Sequence, residues 1–126
     1  MTFVMNGHLW VVKFVDPSSD MLVDRTGNLT VATTDPSTHC VYLSDQLEGE
    51  FLFRVLVHEL GHCIMVSYDM LDQIHSMVYP QCWTTVEEWI CNLIANHGWQ
   101  IFVEAYRLLG ANALEILPQE LERLVI

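Results

Sequence analysis

The fold is decided by the stretch HELGH at residues 58–62, which lies inside the apolar segment FLFRVLVHELGHCIMV at residues 51–66. Apolar residues recur there at helical spacing, so we expect one long helix. Residues four apart on a helix share a face and lie about 6 Å from each other, so His58 and His62 can bind one tetrahedral zinc ion. Glu59 is rotated off that face, where a general base can reach the water on the metal. H-E-x-x-H on a helix is typical of zinc proteases, and the alternative is a buried helix that carries two histidines by coincidence.

Length and composition restrict the classes of protein to consider. The chain has 126 residues, too few for two ordinary domains, so we expect a single domain over 1–126. Hydrophobic residues make up 52% and charged residues 17%, which excludes a disordered chain, and the apolar runs are too short to span a membrane. With 5 Lys+Arg against 16 Asp+Glu, the net charge of −11 argues against direct binding of nucleic acid. An acidic, unusually hydrophobic small protein is consistent with a protein partner or a homodimer.

The cysteines and the N-terminal residues predict a cytoplasmic protein. Cys40, Cys63, Cys82 and Cys91 show no C-x-x-C spacing, so we expect reduced thiols. Residues 1–16 do not have the pattern of a signal peptide. Cys63 and Cys91 lie on predicted helices, and we interpret both as core-packing residues rather than metal ligands.

The order of patterns along the chain predicts an α+β fold, β-rich over 1–45 and helical over 46–126. Three segments read as strands bounded by turn residues, namely His8–Val15, Leu29–Thr33 and His39–Leu43. We expect a small, largely antiparallel three-stranded sheet packed on the H-E-x-x-H helix, which should run from about Leu47 to Ser67. A looser connection over 68–83 precedes a second helix, which should begin at Thr84 and carry a further ligand.

The second helix offers the third metal ligand that a catalytic zinc site needs. A third histidine placed as in the metzincins is excluded, because position 68 holds tyrosine. Glu87 and Glu88 are the alternatives. Glu87 can form a capping box with Thr84, which would leave Glu88 for the metal, although Thr85 and Glu88 could form the box instead. Asn92 lies one turn beyond Glu88 and can accept the outer N–H of a ligand histidine.

Two further features of the site concern the neighbour of Gly61 and the residue that would stabilise the oxyanion. Gly61 inside the helix costs about 1 kcal/mol relative to alanine, so we expect a close backbone neighbour, namely a sheet strand. An amide hydrolase also needs a donor for the oxyanion of the tetrahedral intermediate. His75 and Tyr68 are the candidates we name for it, and Tyr79 and His97 have suitable chemistry as well.

The two motifs together resemble the ImmA/IrrE-type metallopeptidases of bacteria, mobile elements and phages, which are small gluzincins related to thermolysin. HELGH at 58–62 is followed by E-x-x-x-N-x-x-A at 88–95. The resemblance implies a zincin-like core and a cytoplasmic location in a bacterium or a phage-infected cell. It also implies that the strand before the active-site helix is an edge strand to which the substrate peptide adds antiparallel. That strand would comprise His39, Cys40, Val41, Tyr42 and Leu43.

The sequence therefore predicts a metalloendopeptidase with one Zn²⁺ per chain, held by His58, His62 and Glu88. Glu59 would activate the zinc-bound water against a peptide bond of an intracellular protein. The alternative is a zincin-fold module of a phage or prophage that binds a host protein without turnover. The intact Glu59 favours the enzyme, because a pure binder has no need for a base beside the metal.

Overall fold

A computed structural model describes residues 1–110, and in this part the chain is α+β, as predicted. The chain divides into two compact units, Met1–Ala95 and a second that begins at Asn96. The predictions of one domain over 1–126 and of helical character over 46–126 extend to residues 111–126, which lie outside the described residues. Within residues 1–110, no helix combines the length and the apolar character that crossing a bilayer requires.

The first unit contains the sheet and three of the helices. The strands are β1 (Thr2–Met5), β2 (His8–Val15), β3 (Ala32–Asp35) and β4 (Cys40–Ser44). The helices are α1 (Gly49–Ser67), α2 (Leu71–His75) and α3 (Trp83–Leu93). A π-helical turn, Ile94–Gly98, follows α3, and α4 (Trp99–Leu109) belongs to the second unit.

Strand β1 was not predicted, although its hairpin with β2 has a clear local signal. Asn6 and Gly7 form the two-residue connection, and both have positive φ, 48° and 78°. Asn-Gly is the preferred pair for such a tight hairpin, because both residues tolerate the left-handed region. The second strand, His8–Val15, has the predicted boundaries.

The sheet of the described residues is four-stranded and mixed, in the order β1-β2-β4-β3, so the predicted three-stranded, largely antiparallel sheet is wrong in strand number and in one pairing. β4 pairs parallel with β2 and antiparallel with β3. The segment predicted as an edge strand (His39, Cys40, Val41, Tyr42 and Leu43) is therefore central. The physical reason is burial on both faces: Val41 and Leu43 are fully buried on one face, and Cys40 and Ser44, which alternate with them, are buried on the other.

Strand β3 begins three residues later than predicted. Leu29 instead forms an isolated antiparallel bridge with Val23, around a turn in which Asp24 accepts the backbone N–H groups of Thr26 and Asn28. This local turn occupies the first part of the predicted strand. β3 consequently lies at one edge of the sheet.

Helix α1 packs between the sheet and the other helices of the first unit. On one side Cys63 joins the main core cluster with Trp10, Val41 and Leu43, and on the other side Met65 packs with Ile74 and Cys91. The indole of Trp10 donates to Ser67 Oγ over 2.8 Å, which ties β2 to the last turn of α1. The predicted start of α1 at about Leu47 is two residues early, and its end at Ser67 is confirmed.

Candidate functional site

The two motif histidines face each other on α1, as their spacing predicts. Their Nε2 atoms are 3.3 Å apart, and their ring centroids are separated by 5.0 Å. Both side chains are mostly but not fully buried. The i, i+4 spacing thus directs two imidazole nitrogens at one point in space.

Glu88 meets this histidine pair from α3. One carboxylate oxygen lies 2.9 Å from His58 Nε2, and the other lies 3.2 Å from His62 Nε2. Hydrogen bonds from His58 and, secondarily, His62 hold the pKa of Glu88 far below its usual value. The structure therefore brings together the three predicted ligands, with the Glu88 side chain 42% exposed.

Asn92 lies one turn beyond Glu88 on α3 and hydrogen-bonds the imidazole of His58. The hydrogen bond with Glu88 is the main cause that raises the pKa of His58, and the weaker bond with Asn92 acts in the same direction. A bond that favours the protonated ring is one in which the Asn92 carbonyl accepts. This is the contact expected of a group that orients a ligand histidine.

Glu59 is buried on a different side of α1 from the histidines. Thr34 of β3 donates its hydroxyl to Glu59 Oε2. Burial raises the pKa of the Glu59 carboxyl, and the hydrogen bond from Thr34 partly opposes this shift. The contact also fixes the carboxylate against the edge strand of the sheet.

Gly61 lets α3 approach α1 closely. A Cβ built at Gly61 would lie 3.0 Å from Cys91 Sγ and 3.5 Å from Cys91 Cα. The predicted close neighbour is present, but it is helix α3 and not a sheet strand. Because the two helices cross at this point, Glu88 is carried to the histidine pair.

Cys91 was predicted to be a core-packing residue, but the structure also places it beside the histidine pair. It is fully buried, as expected of a packing residue. However, its Sγ and one ring nitrogen from each of His58 and His62 all lie within 4.8 Å of one another, so these three residues could hold a metal ion. The Glu88 oxygens lie 2.9 and 3.2 Å from the Nε2 atoms of His58 and His62, so a carboxylate and a thiol both approach the histidine pair from α3. The spacing of Glu88 and Cys91, three residues apart on one helix face, was the available signal.

Glu87 does not form the predicted capping box. α3 begins at Trp83, one residue before Thr84, and among the described residues no side chain caps its N-terminus. Glu87 is instead buried between two partners, 3.1 Å from the Arg25 guanidinium and 2.8 Å from His75 Nε2. Its structural role is therefore tertiary, because it links α3 to the loop after β2 and to α2.

The two named candidates for the oxyanion donor have other surroundings. His75 ends α2, where its ring stacks on Trp83 at 4.4 Å and bonds Glu87. Tyr68 follows the last residue of α1 and is partly exposed. Among the hydrogen bonds and ion pairs of residues 1–110, none joins either side chain to His58, His62 or Glu59. An oxyanion role for His75 or Tyr68 stays a prediction.

Arg25 had no signal in the sequence that marked it as part of the site. Besides its ion pair with Glu87, its guanidinium lies 3.9 Å from Glu88. Arg25 also borders a cavity of about 460 Å³. This cavity extends from the site to β3, and its walls include Arg25, Thr34, Asp35, Tyr42, His62 and Glu87.

Comparison with models of known protein families, with curated proteins and with solved structures finds no match for the chain. The resemblance to ImmA/IrrE-type metallopeptidases therefore rests on the residues of the two motifs and stays a prediction. A function must be inferred from the geometry of the site itself.

Proposed function

We propose that the chain is a zinc-dependent peptidase, in which His58, His62 and Glu88 hold the metal and Glu59 is the general base. The separations of the three donors carry this proposal. A tetrahedral zinc ion with ligands at about 2.0–2.1 Å has donor atoms about 3.3–3.4 Å apart. Here the two Nε2 atoms are 3.3 Å apart, one Glu88 oxygen lies 2.9 Å from His58 Nε2, and the other Glu88 oxygen lies 3.2 Å from His62 Nε2. Two histidines and one glutamate are also the ligand set of one class of catalytic zinc site.

A metal-free cluster of hydrogen-bonded side chains is the competing interpretation of the same contacts. In that case a proton would bridge the two facing ring nitrogens or join one ring to Glu88. The donor set, the contact of Asn92 with His58 and the buried base beside the pair together favour the metal site. Metal analysis of the purified protein separates the two interpretations.

The roles of the protein groups follow from their contacts. Zinc, when bound, would polarise the scissile carbonyl and make water acidic. Because the Thr34 hydroxyl already donates a hydrogen bond to Oε2 of Glu59, we assign proton transfer to the other carboxylate oxygen, Oε1. Oε1 takes a proton from the attacking water and passes it to the leaving amine. Burial makes this carboxylate a better base, because it disfavours the charged form.

The substrate is proposed to be an extended peptide bound along β3. Ser44 N–H donates to Val31 O, so in the alternating pattern of an antiparallel ladder the pair Thr34–Val41 is not hydrogen-bonded. The main-chain groups of Thr34 therefore point to the open edge, where a peptide can add. Its side chain contacts Glu59, so a peptide on this edge lies next to the base. This replaces the substrate strand predicted at 39–43.

The test is the substitution Glu59→Gln, which keeps size and hydrogen-bonding reach but removes the base. We expect wild type and variant to carry about one zinc per chain, and only wild type to cleave its partner. Glu50→Gln, on the exposed first turn of the same helix, is the matched control and should behave as wild type. Partners are captured from host lysate with each protein, and cleavage sites are mapped by mass spectrometry.

A binding module without turnover is the second candidate function. α4 favours it, because Ile101, Phe102 and Leu108 are 66–69% exposed, as on surfaces that bind other proteins. In that case wild type and Glu59→Gln would capture the same partner uncut. Protein without a transition metal, even after zinc is offered, would also exclude the enzyme.

A further inference from the structure

Cys91 and Glu88 reach the histidine pair from the same helix in different surroundings. Glu88 is 42% exposed, whereas Cys91 is fully buried where α1 and α3 cross. One ring nitrogen of each histidine, His58 and His62, lies within 4.8 Å of the Cys91 sulfur. The pair is thus approached by a carboxylate that is open to solvent and by a thiol that is not.

We propose that Cys91 is a fourth protein ligand of the metal and binds it when no substrate is present. The inference rests on the proposed function, because it requires a metal on His58 and His62. The ligand would be a thiophilic divalent cation, such as zinc or cobalt. Cys91 would occupy the position that a catalytic site keeps open for water.

The distances require only a small movement of the sulfur. For a zinc ion with nitrogen ligands at about 2.0–2.1 Å and sulfur at about 2.3 Å, tetrahedral geometry places sulfur about 3.5 Å from each nitrogen. In the structure the sulfur lies at most 4.8 Å from these nitrogens. Rotation about the Cα–Cβ bond of Cys91 can supply the remaining movement. The backbone of α3 can stay where it packs against Gly61.

The chemistry of the step is a ligand exchange without oxidation or reduction. The S–H bond of Cys91 breaks, a sulfur–metal bond forms, and the proton goes to solvent. Four protein ligands close a zinc site, whereas three leave it open. Cys91 and water would therefore compete for one position, and the protein would be held in a closed form until Cys91 leaves.

Cys63 provides the matched control. It is buried to the same degree and directly follows His62, but it packs in the cluster that faces the sheet. Cys82 is exposed and could bind cobalt unspecifically, so it serves as a second control. Neither belongs to the group of ligand atoms around the histidine pair within the described residues.

The experiment is loading of the full chain with Co²⁺, followed by absorption spectroscopy for the thiolate-to-cobalt charge-transfer band in the near ultraviolet. We expect the band in wild type, Cys63→Ser and Cys82→Ser, and its complete loss in Cys91→Ser. X-ray absorption at the zinc edge of the wild-type protein needs no variant. It should show one sulfur at about 2.3 Å beside nitrogen and oxygen ligands.

The outcomes distinguish this inference from the proposed function. Bound cobalt that depends on His58 and His62 but shows no sulfur ligand would overturn only the role of Cys91. A band that persists in Cys91→Ser would overturn it as well. Protein that binds neither cobalt nor zinc would overturn both proposals. If Cys91→Ser does not fold, X-ray absorption of the wild-type protein tests the proposal instead, and the absence of a sulfur ligand in that spectrum would overturn it.

Discussion

Glu87 and Glu88 are adjacent residues with different partners, because consecutive helical residues point about 100° apart. Glu88 faces the histidine pair, and Glu87 is buried against Arg25 and His75. Removing one member of a buried charge pair leaves its partners incompletely satisfied, which is costly even where the intact pair contributes little. The exposed side of Arg25 reduces this cost, since its charge is partly solvated.

The two glutamates should separate metal binding from stability. Glu88→Ala should lower zinc affinity strongly with a small effect on the fold. Glu87→Ala should keep the ligand set but lower the free energy of unfolding by about 1–3 kcal/mol, the usual cost of unsatisfied buried polar groups. Asn92→Ala should weaken zinc binding about 10–100-fold.

Zinc titration and urea unfolding of the metal-free proteins measure the two quantities, with Glu50→Ala on the exposed start of α1 as control. The reverse pattern, in which Glu87→Ala loses the metal and Glu88→Ala keeps it, would move the third ligand to Glu87.

At the scale of elements, the position of each strand in the sheet decides what it can bind. β4 has partner strands on both sides, so its main chain is committed to the sheet, whereas β3 is an edge strand of the sheet formed within residues 1–110 and lies beside Glu59. A proline is tolerated only where the lost N–H faces away from a partner strand.

Proline substitutions should therefore act differently in the two strands. Combined with Glu59→Gln, Thr34→Pro should fold and bind zinc. It should no longer bind the peptide that Glu59→Gln alone captures, because it lacks the N–H that points away from β4. Thr34→Val also loses the hydroxyl but keeps that N–H, and should still bind the peptide. Val41→Pro should disrupt the sheet. Circular dichroism and peptide titration measure these effects, and equal peptide affinity of Thr34→Pro and Thr34→Val would refute binding along β3.

The crossing of α1 and α3 makes a second prediction at this scale. Gly61→Ala gains about 1 kcal/mol of helix propensity, but its Cβ would lie 3.0 Å from Cys91 Sγ. Overpacking of this kind costs about 1–3 kcal/mol, so we expect lower stability. In the double variant with Cys91→Ala, the nearest atoms to the new Cβ are Cys91 Cα and Cβ at 3.5 Å, which is ordinary contact. The free energy of unfolding of the double variant should therefore exceed the value expected from the sum of the single effects by about 0.5–3 kcal/mol. Strictly additive changes in urea unfolding would mean that the two residues do not compete for space.

At the scale of the whole molecule, bound metal should join the sheet-side and helix-side parts of the first unit. α1 belongs to both core clusters and supplies two donors, and α3 supplies the third. A ligand that binds only the folded state stabilises it by mass action. The metal should thus stabilise the folded state in addition to its proposed role in catalysis.

Removal of zinc with a chelator should lower the melting temperature. At free zinc near 100 times the dissociation constant, the loss is about 2.7 kcal/mol, or a shift on the order of 10 °C for a domain of this size. His62→Ala, measured in parallel, should melt at the same temperature with and without chelator. A wild-type melting temperature that is insensitive to both chelator and added zinc would contradict a metal site in the fold.

The sequence by itself determined the features that depend on neighbours along the chain. Helical periodicity placed α1 and the facing pair His58 and His62, and alternation of apolar residues placed β2. Such features follow from backbone geometry and side-chain period within a few residues. The sequence also singled out Glu88, but it did so through a capping box at Glu87 that the structure does not contain.

Only the tertiary structure decided which segments become neighbours in space. It placed β4 in the centre of the sheet and β3 at the edge, and it buried Glu87 against Arg25 rather than at a helix cap. It also brought Cys91 to the histidine pair through the gap at Gly61. The physical reason is that strand order and helix crossing depend on how the whole core packs, and the same local pattern fits a central or an edge strand, a packing thiol or a ligand.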